Sequence, residues 1–291
     1  MYFPNLLKPI IDIAIPWNIL EECPDDREKV RKIGYICRGA AIFQVDTLVI
    51  YKYGKVSDRD LKFLKRNLEY LVTPPYLKKD LFKIEPELKL AGLLPPLKTP
   101  AHYASRGDLK PGSIVEGLVV KWDGYFSIVK IGDNVFAKIP KPYPIGSKLV
   151  LRIEAESERG RMYRAHVVDK SKLKIYWNIN IEERFLKEIL KDDKYGCIIL
   201  TGREGRSLAK CYNDLINILN RVKNEDKKVL VFFGSPKKGI DEIFKEEGLE
   251  ISNYLFINFI PEQGVETVRT EEAIIAVLSI LHFIRCCILG K

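Results

Sequence analysis

Three runs in the C-terminal part of the chain set glycine, hydroxyl and amide groups directly after apolar, β-forming stretches. They are "TGREG" after Leu200, "GSPKKG" after Phe233 and "PEQGVETVR" after Ile260. In an α/β sheet, ligands sit at the carboxyl ends of strands, where glycine lets backbone N–H and C=O groups approach and read them. One such loop is an ordinary strand-to-helix turn; three in succession imply a shared pocket. Neither "GREGRS" nor "GSPKKG" fits G-x-x-x-x-G-K-[ST] or G-x-G-x-x-G, so a P-loop is rejected. The six cysteines contain no C-x-x-C pair, and adjacent Cys286-Cys287 is a poor start for a tetrahedral metal site. Reduced, mostly buried thiols in a cytoplasmic protein are the reading they support.

The elements that must position these loops follow from periodicity. "IIDIAIP" reads as a buried strand, "PDDREKVRKIGYICRGAAIF" as a helix with acids in its first turn, and "VDTLVIYKY" as a second strand. "SDRDLKFLKRNLEYLV" carries Leu61, Leu64, Leu68 and Leu71 on one helical stripe. Prolines then stiffen residues 73–112, and the stretch from Ser113 to Asp169 is nearly all short strands with glycine-containing turns, as in a five-stranded barrel of the oligonucleotide-binding type. From about residue 172 the α/β pattern returns, with "ERFLKEIL" read as helix and then three strand–helix pairs, the first being "GCIILTG" with "SLAKCYNDLINILNRVK". Each α/β half has too few strands for a covered sheet, so one α/β domain interrupted by a barrel is predicted: residues 1–104 and 172–291, with the barrel at 105–171.

The chain has 291 residues, with 48 Lys and Arg against 39 Asp and Glu, a net charge of +9 that makes polyanions such as nucleic acid candidate partners. The apolar start is interrupted by Pro4, Lys8, Pro9 and Asp12 and reads as no secretory signal. "AIIAVLSILHFIRCCIL" is short for a membrane span and carries His282 and Arg285, so a core or dimer-interface helix is expected and no membrane association.

Beyond these patterns, "INFIPEQGVETVRTEEAIIAVLSIL" resembles the third motif of the SPOUT RNA methyltransferases, "VLVFFGSPKKGIDEIF" their second and "CRGAAIFQVDTLVIY" their first. Together with "LLPPLKTPAHY", the last motif is similar to the archaeal and eukaryotic branch with an inserted OB-like barrel, regarded as ribosomal-RNA uridine-N3 methyltransferases. The resemblance implies a trefoil-knotted α/β domain, S-adenosylmethionine as cofactor, an RNA substrate, and a homodimer. It places the cofactor at Thr201, Gly202, Gly234, Ser235, Ile257, Ile260, Gln263, Gly264, Thr267 and Val268, with Arg38 and Arg269 facing the acceptor as catalytic residues and no metal. Pro236, Lys32 and Thr267-Val268-Arg269 depart from the pattern of ribose-methylating relatives. Uridine N3 of ribosomal RNA is therefore the first reading. Ribose 2′-O, another base nitrogen, or an RNA-binding scaffold with weak catalysis are the alternatives. Arg269 paired with Glu266 or Glu272, and a hydrogen-bonded structural His102, are the plain readings of those residues.

Overall fold

The computed structural model describes residues 3–103, 109–155 and 161–290; the barrel boundary expected at Ser105 lies outside them. The chain begins with β1 (Ile10–Pro16), α1 (Asp26–Ile42), β2 (Val45–Lys52), α2 (Asp58–Val72) and the short α3 (Pro75–Leu81). Five strands follow: β3 (Ile114–Trp122), β4 (Ser127–Gly132), β5 (Val135–Ile139), β6 (Lys148–Ala155) and β7 (Met162–Val167). Then come β8 (Asn180–Phe185), α4 (Leu186–Ile189), β9 (Tyr195–Ser207), α5 (Leu208–Asn224), β10 (Lys228–Phe232), α6 (Ile240–Glu246), β11 (Leu255–Asn258) and α7 (Thr270–Phe283). They fall into two compact units.

One unit, Leu6–Leu71 with Pro86–Pro96 and Ile179–Lys291, is an α/β sheet of six parallel strands in the order β11-β9-β10-β1-β2-β8. Ile11, Ile13, Val49, Leu230 and Val231 are fully buried, as expected of parallel strands covered on both faces. Asp25 opens α1 by accepting from the N–H groups of Arg27 and Glu28 at 2.8 and 2.9 Å, and Asp26 and Glu28 complement the helix dipole. A Cβ at Gly34 would lie 2.6 Å from the Pro95 ring, so only glycine lets α1 approach the "LLPP" segment this closely. After α7, a π-helical turn at Ile284–Ile288 buries Arg285, whose guanidinium donates to the carbonyls of Phe43, at the end of α1, and Pro9.

Three local expectations are corrected. "ERFLKEIL" is not one helix: its first residues belong to β8, which pairs with β2, and only Leu186–Ile189 turn helical. Charged "NIEERF" is an edge strand, where polar side chains face water and conceal the β pattern. "TGREG" is not a loop either, because β9 continues through it to Ser207, and Arg206 and Ser207 pair with Ile257 and Asn258 of β11. Nor are the thiols mostly buried: Cys37 and Cys211 are, while Cys286 and Cys287 are exposed.

Near the amino ends of the inner strands, fully buried Asp12 accepts from Thr47 N–H at 3.1 Å, Tyr195 OH at 3.2 Å and Lys228 Nζ at 3.2 Å. Burial raises its carboxyl from 3.8 to about 6, with Lys228 pulling the other way. The folded state therefore holds this proton more tightly than the unfolded chain, and the stability it contributes is full below pH 3.8 and lost as pH rises through about 6. Relative to the parent, Asp12→Asn should gain up to about 3 kcal/mol between pH 4 and 7 in urea unfolding. A pH-independent difference would show that the carboxylate is held ionised throughout.

The second unit, Met1–Asn5 with Val72–Glu85 and Leu97–Asn178, contains a closed barrel in the order β3-β4-β5-β7-β6. Val119, Val129, Ala137, Leu151, Ile153 and Tyr163 fill it. Flanking segments are tied in by polar contacts: Tyr76 OH donates to Glu116 O at 2.7 Å and Trp177 Nε1 to the Glu116 carboxylate at 3.1 Å. Thr99 Oγ1 lies 2.7 Å from His102 Nδ1 and 3.1 Å from Asn178 Oδ1, which gives His102 a structural partner. Of the barrel rings, Trp122 and Tyr125 are exposed, whereas Phe126 and Phe136 are partly covered. Among the described residues no helix is long and apolar enough to cross a membrane, and no cluster of His, Cys, Asp and Glu is arranged to hold a metal.

Candidate active site

The Thr201–Glu204 part of β9 converges with the carboxyl ends of β10 and β11, and each is locked by hydrogen bonds that the local sequence provides. Phe232 O accepts from Thr201 Oγ1 at 2.8 Å, and Phe233 O accepts from Tyr51 OH at 2.8 Å, fixing where β10 ends. The chain then turns tightly: Ser235 N–H donates to Lys238 O at 2.9 Å, and Lys238 N–H returns to Ser235 Oγ at 3.0 Å. A Cβ on Gly234 would sit 2.9 Å from Lys238 O and 3.1 Å from Ile240 N, so the turn closes only over glycine. Glu246 beside Lys238 raises that ammonium's pKa.

Asn258 joins the other two strand ends, donating to Arg203 O at 3.0 Å and accepting from Ile260 N–H at 3.0 Å. The polar run after Ile260 folds on itself. Gln263 Nε2 donates to the carbonyls of Val265 and Glu266 at 2.9 and 3.0 Å, and Arg203 Nη1 reaches Glu266 O at 3.4 Å. Arg269 N–H then donates to the Glu272 carboxylate at 2.9 Å as α7 starts. That satisfies one of the orphan donors of the helix N-terminus.

Between these loops lies a cleft of about 390 Å³, within the range of small-ligand pockets. Thr201, Gly202, Gly234, Ser235, Ile260, Gln263, Thr267 and Val268 line it, so eight of the ten residues singled out in the sequence share one wall system. Ile257 is instead fully buried in β11, and Gly264 stands off the wall, where an added Cβ would meet nothing within 4 Å. Arg38 and Arg269 do not line the cleft. Arg38 donates to Pro96 O at 3.0 Å, and Arg269 is exposed at the head of α7. Buried Lys32 bridges Glu22 and Glu271, the latter at 3.1 Å, and so ties α1 to the first turn of α7.

The cleft also uses side chains not foreseen. Thr270, Ala273 and Val277 form its floor at i, i+3 and i+7 of α7, a spacing readable from the sequence. Glu204, Asp241, Glu242 and Glu266 add acidic groups to it, and Arg203, Lys237 and Lys238 basic ones. Glu266 was visible only as a partner for Arg269, and the others carried no signal of their own.

The family described as "Putative RNA methyltransferase" matches residues 10–281. The chain belongs to this family. It is thus an RNA methyltransferase, and its relatives extend over nearly the whole length. An uncharacterized protein of Haloarcula marismortui is 28% identical, covering 92% of this chain and 97% of its own. The human protein named 28S rRNA (uridine-N(3))-methyltransferase is 28% identical over 94% of this chain and 77% of its own. The Drosophila melanogaster protein of the same name is 26% identical over 94% of this chain and 61% of its own. The barrel as well as the sheet of this methyltransferase therefore falls within the aligned region.

Proposed function

We propose that the methyltransferase uses S-adenosylmethionine to methylate uridine N3 in ribosomal RNA. The observation that carries this reading is the three-stranded cleft, lined by Thr201, Gly234, Ser235 and Gln263, in a chain alignable almost throughout with proteins bearing that activity in their names. The cleft suits the cofactor in size, and its mixed charges suit a zwitterion. Glu204, Asp241, Glu242 and Glu266 complement an ammonium and a sulfonium, Arg203, Lys237 and Lys238 a carboxylate, and Phe259, Ile260, Val268 and Val277 offer apolar contact to an adenine. Ile257 and Gly264 would act by shaping the loop that holds it. When bound, S-adenosylmethionine supplies a methyl group on a sulfonium, activated for in-line transfer.

What this chain must add is placement of the acceptor and stabilisation of charge. Uracil N3 is a poor nucleophile until its proton leaves, and a guanidinium near O2 or O4 stabilises the developing anion, the role assigned to Arg38 and Arg269. In this reading residues 1–104 and 172–291 form a SPOUT domain that holds the sheet, with α7 threaded through a trefoil knot and the barrel inserted at 105–171. Exposed Tyr35 and Ile42 on α1 and Ile275 and Phe283 on α7 form the homodimer face, and the enzyme works in the cytoplasm.

Mass spectrometry of nucleosides from ribosomal RNA, with and without the protein, tests the assignment: 3-methyluridine supports it, and 2′-O-methylated or other methylated products refute it. Arg38→Ala and Arg269→Ala should each leave cofactor affinity nearly unchanged and lower the methylation rate more than tenfold, as for interactions stronger in the transition state. Wild-type turnover in both would remove these residues from catalysis.

A further inference from the structure

The positive charge of the chain is concentrated in one of its two units. The barrel unit carries 18 Lys and Arg against 10 Asp and Glu, an excess of eight; the sheet unit carries 30 against 29, an excess of one. Nearly the whole net charge thus belongs to the part of the protein that contributes nothing to the lining of the cleft.

Strand register arranges part of that charge on the outside of the barrel. Val129, Ala137 and Tyr163 lie side by side on β4, β5 and β7 and point into the core. Their neighbours along each strand face outward. Lys121 of β3 pairs with Ile128 of β4, Ile128 with Lys138 of β5, and Lys138 with Arg164 of β7. Three cations thus share one row across four neighbouring strands, at spacings of about 5–10 Å set by the strand separation.

The β3–β4 turn at one end of this row is preorganised. Asp123 Oδ1 accepts from the N–H groups of Tyr125 and Phe126 at 3.0 and 2.7 Å, and Asp123 N–H donates to Phe126 O at 3.1 Å. Gly124, at φ +97°, takes the left-handed position. Those N–H donors hold the Asp123 carboxyl below the usual range, so the one acid of the turn is engaged by its own backbone. The turn leaves Tyr125 81% exposed and brings the Phe126 ring 5.7 Å from Lys138 Nζ.

We propose that this outer barrel face, with the Tyr125 ring at its turn and the row of Lys121, Lys138 and Arg164, binds an unpaired segment of the substrate RNA. The cations track phosphates, and an exposed ring on a braced turn stacks on a base of any identity. Bases inside a duplex are already stacked on one another, so the ring selects for single strands. The core of a protein interface is depleted of charge, whereas this row holds three cations with Ile128 alone between them. The inference rests on the RNA-methylating activity of the family and not on the methyl donor or the nucleotide proposed above.

The full chain is titrated against a fluorescein-labelled oligouridine of about 12 nucleotides, within the span covered by one OB-type barrel, and against a hairpin duplex, over a series of KCl concentrations. Tyr125→Ala should weaken oligouridine binding roughly 5- to 100-fold with little change for the duplex, and Tyr125→Phe should restore it. The triple variant Lys121→Gln, Lys138→Gln, Arg164→Gln should lower the slope of log K against log salt by about 2. Wild-type oligouridine affinity in Tyr125→Ala, an equal loss for the duplex, or an unchanged salt slope in the triple variant would overturn the proposal. The thermal shift produced by S-adenosylmethionine should be the same in all variants, so failure of the cofactor assignment would be seen separately.

Discussion

Lys228→Met should unfold far more readily than the parent, losing about 3–5 kcal/mol, because it leaves buried carboxylates without their cation. Lys228 Nζ reaches the Asp46 carboxylate at 2.6 Å and both Asp12 oxygens at 3.2 and 3.3 Å, and its removal leaves two acids on adjacent strands facing each other. Asp12 has no exposure with which to recover hydration. The loss should grow with pH, since below about pH 5 the acids can take up protons instead of repelling one another. Melting temperature, followed by circular dichroism, should fall by about 6–15 °C at pH 8 and by less at pH 5. A small and pH-independent change would mean that water replaces the ammonium.

Gly234→Val should abolish detectable S-adenosylmethionine binding, a loss of at least about a hundredfold, while leaving the protein folded. A side chain there meets backbone, Lys238 O and Ile240 N, and backbone cannot swing aside as a flexible side chain can. The turn from Gly234 to Gly239 must open, carrying Ser235 and Lys238 away from the cleft they line. Gly264→Ala provides the contrast: nothing lies within 4 Å of its added Cβ, and affinity should change only a few-fold. Calorimetric titration of both variants decides the matter, and undiminished binding by Gly234→Val would separate the cleft from the cofactor.

How much of this could be read beforehand depended on how each residue is buried. β1 is the quoted "IIDIAIP" residue for residue, and α1, α2 and α5 begin and end within about two residues of their periodic stretches, because two-sided burial and amphipathic stripes write themselves into apolar spacing. The five barrel strands were legible through their glycine turns. β8 was not: its partner β2 determines its conformation, while its own Glu182, Glu183 and Arg184 look like a solvated helix. The continuation of β9 through "TGREG" was hidden for a similar reason, since its pairing with Ile257 and Asn258 is a contact distant in sequence. In the cleft, glycine and amide positions were visible as motif residues, whereas Glu204, Asp241 and Glu242 entered through tertiary placement alone.

The lopsided charge distribution also bears on colloidal behaviour. A sheet unit with one net charge has little electrostatic repulsion to oppose association of its copies. The net eight charges of the barrel unit oppose association beyond the proposed dimer, so shortened versions lacking the barrel should be less soluble near neutral pH even when correctly folded, as turbidity against protein concentration would show. By the same reasoning, the barrel would act as a solubility tag encoded within the chain.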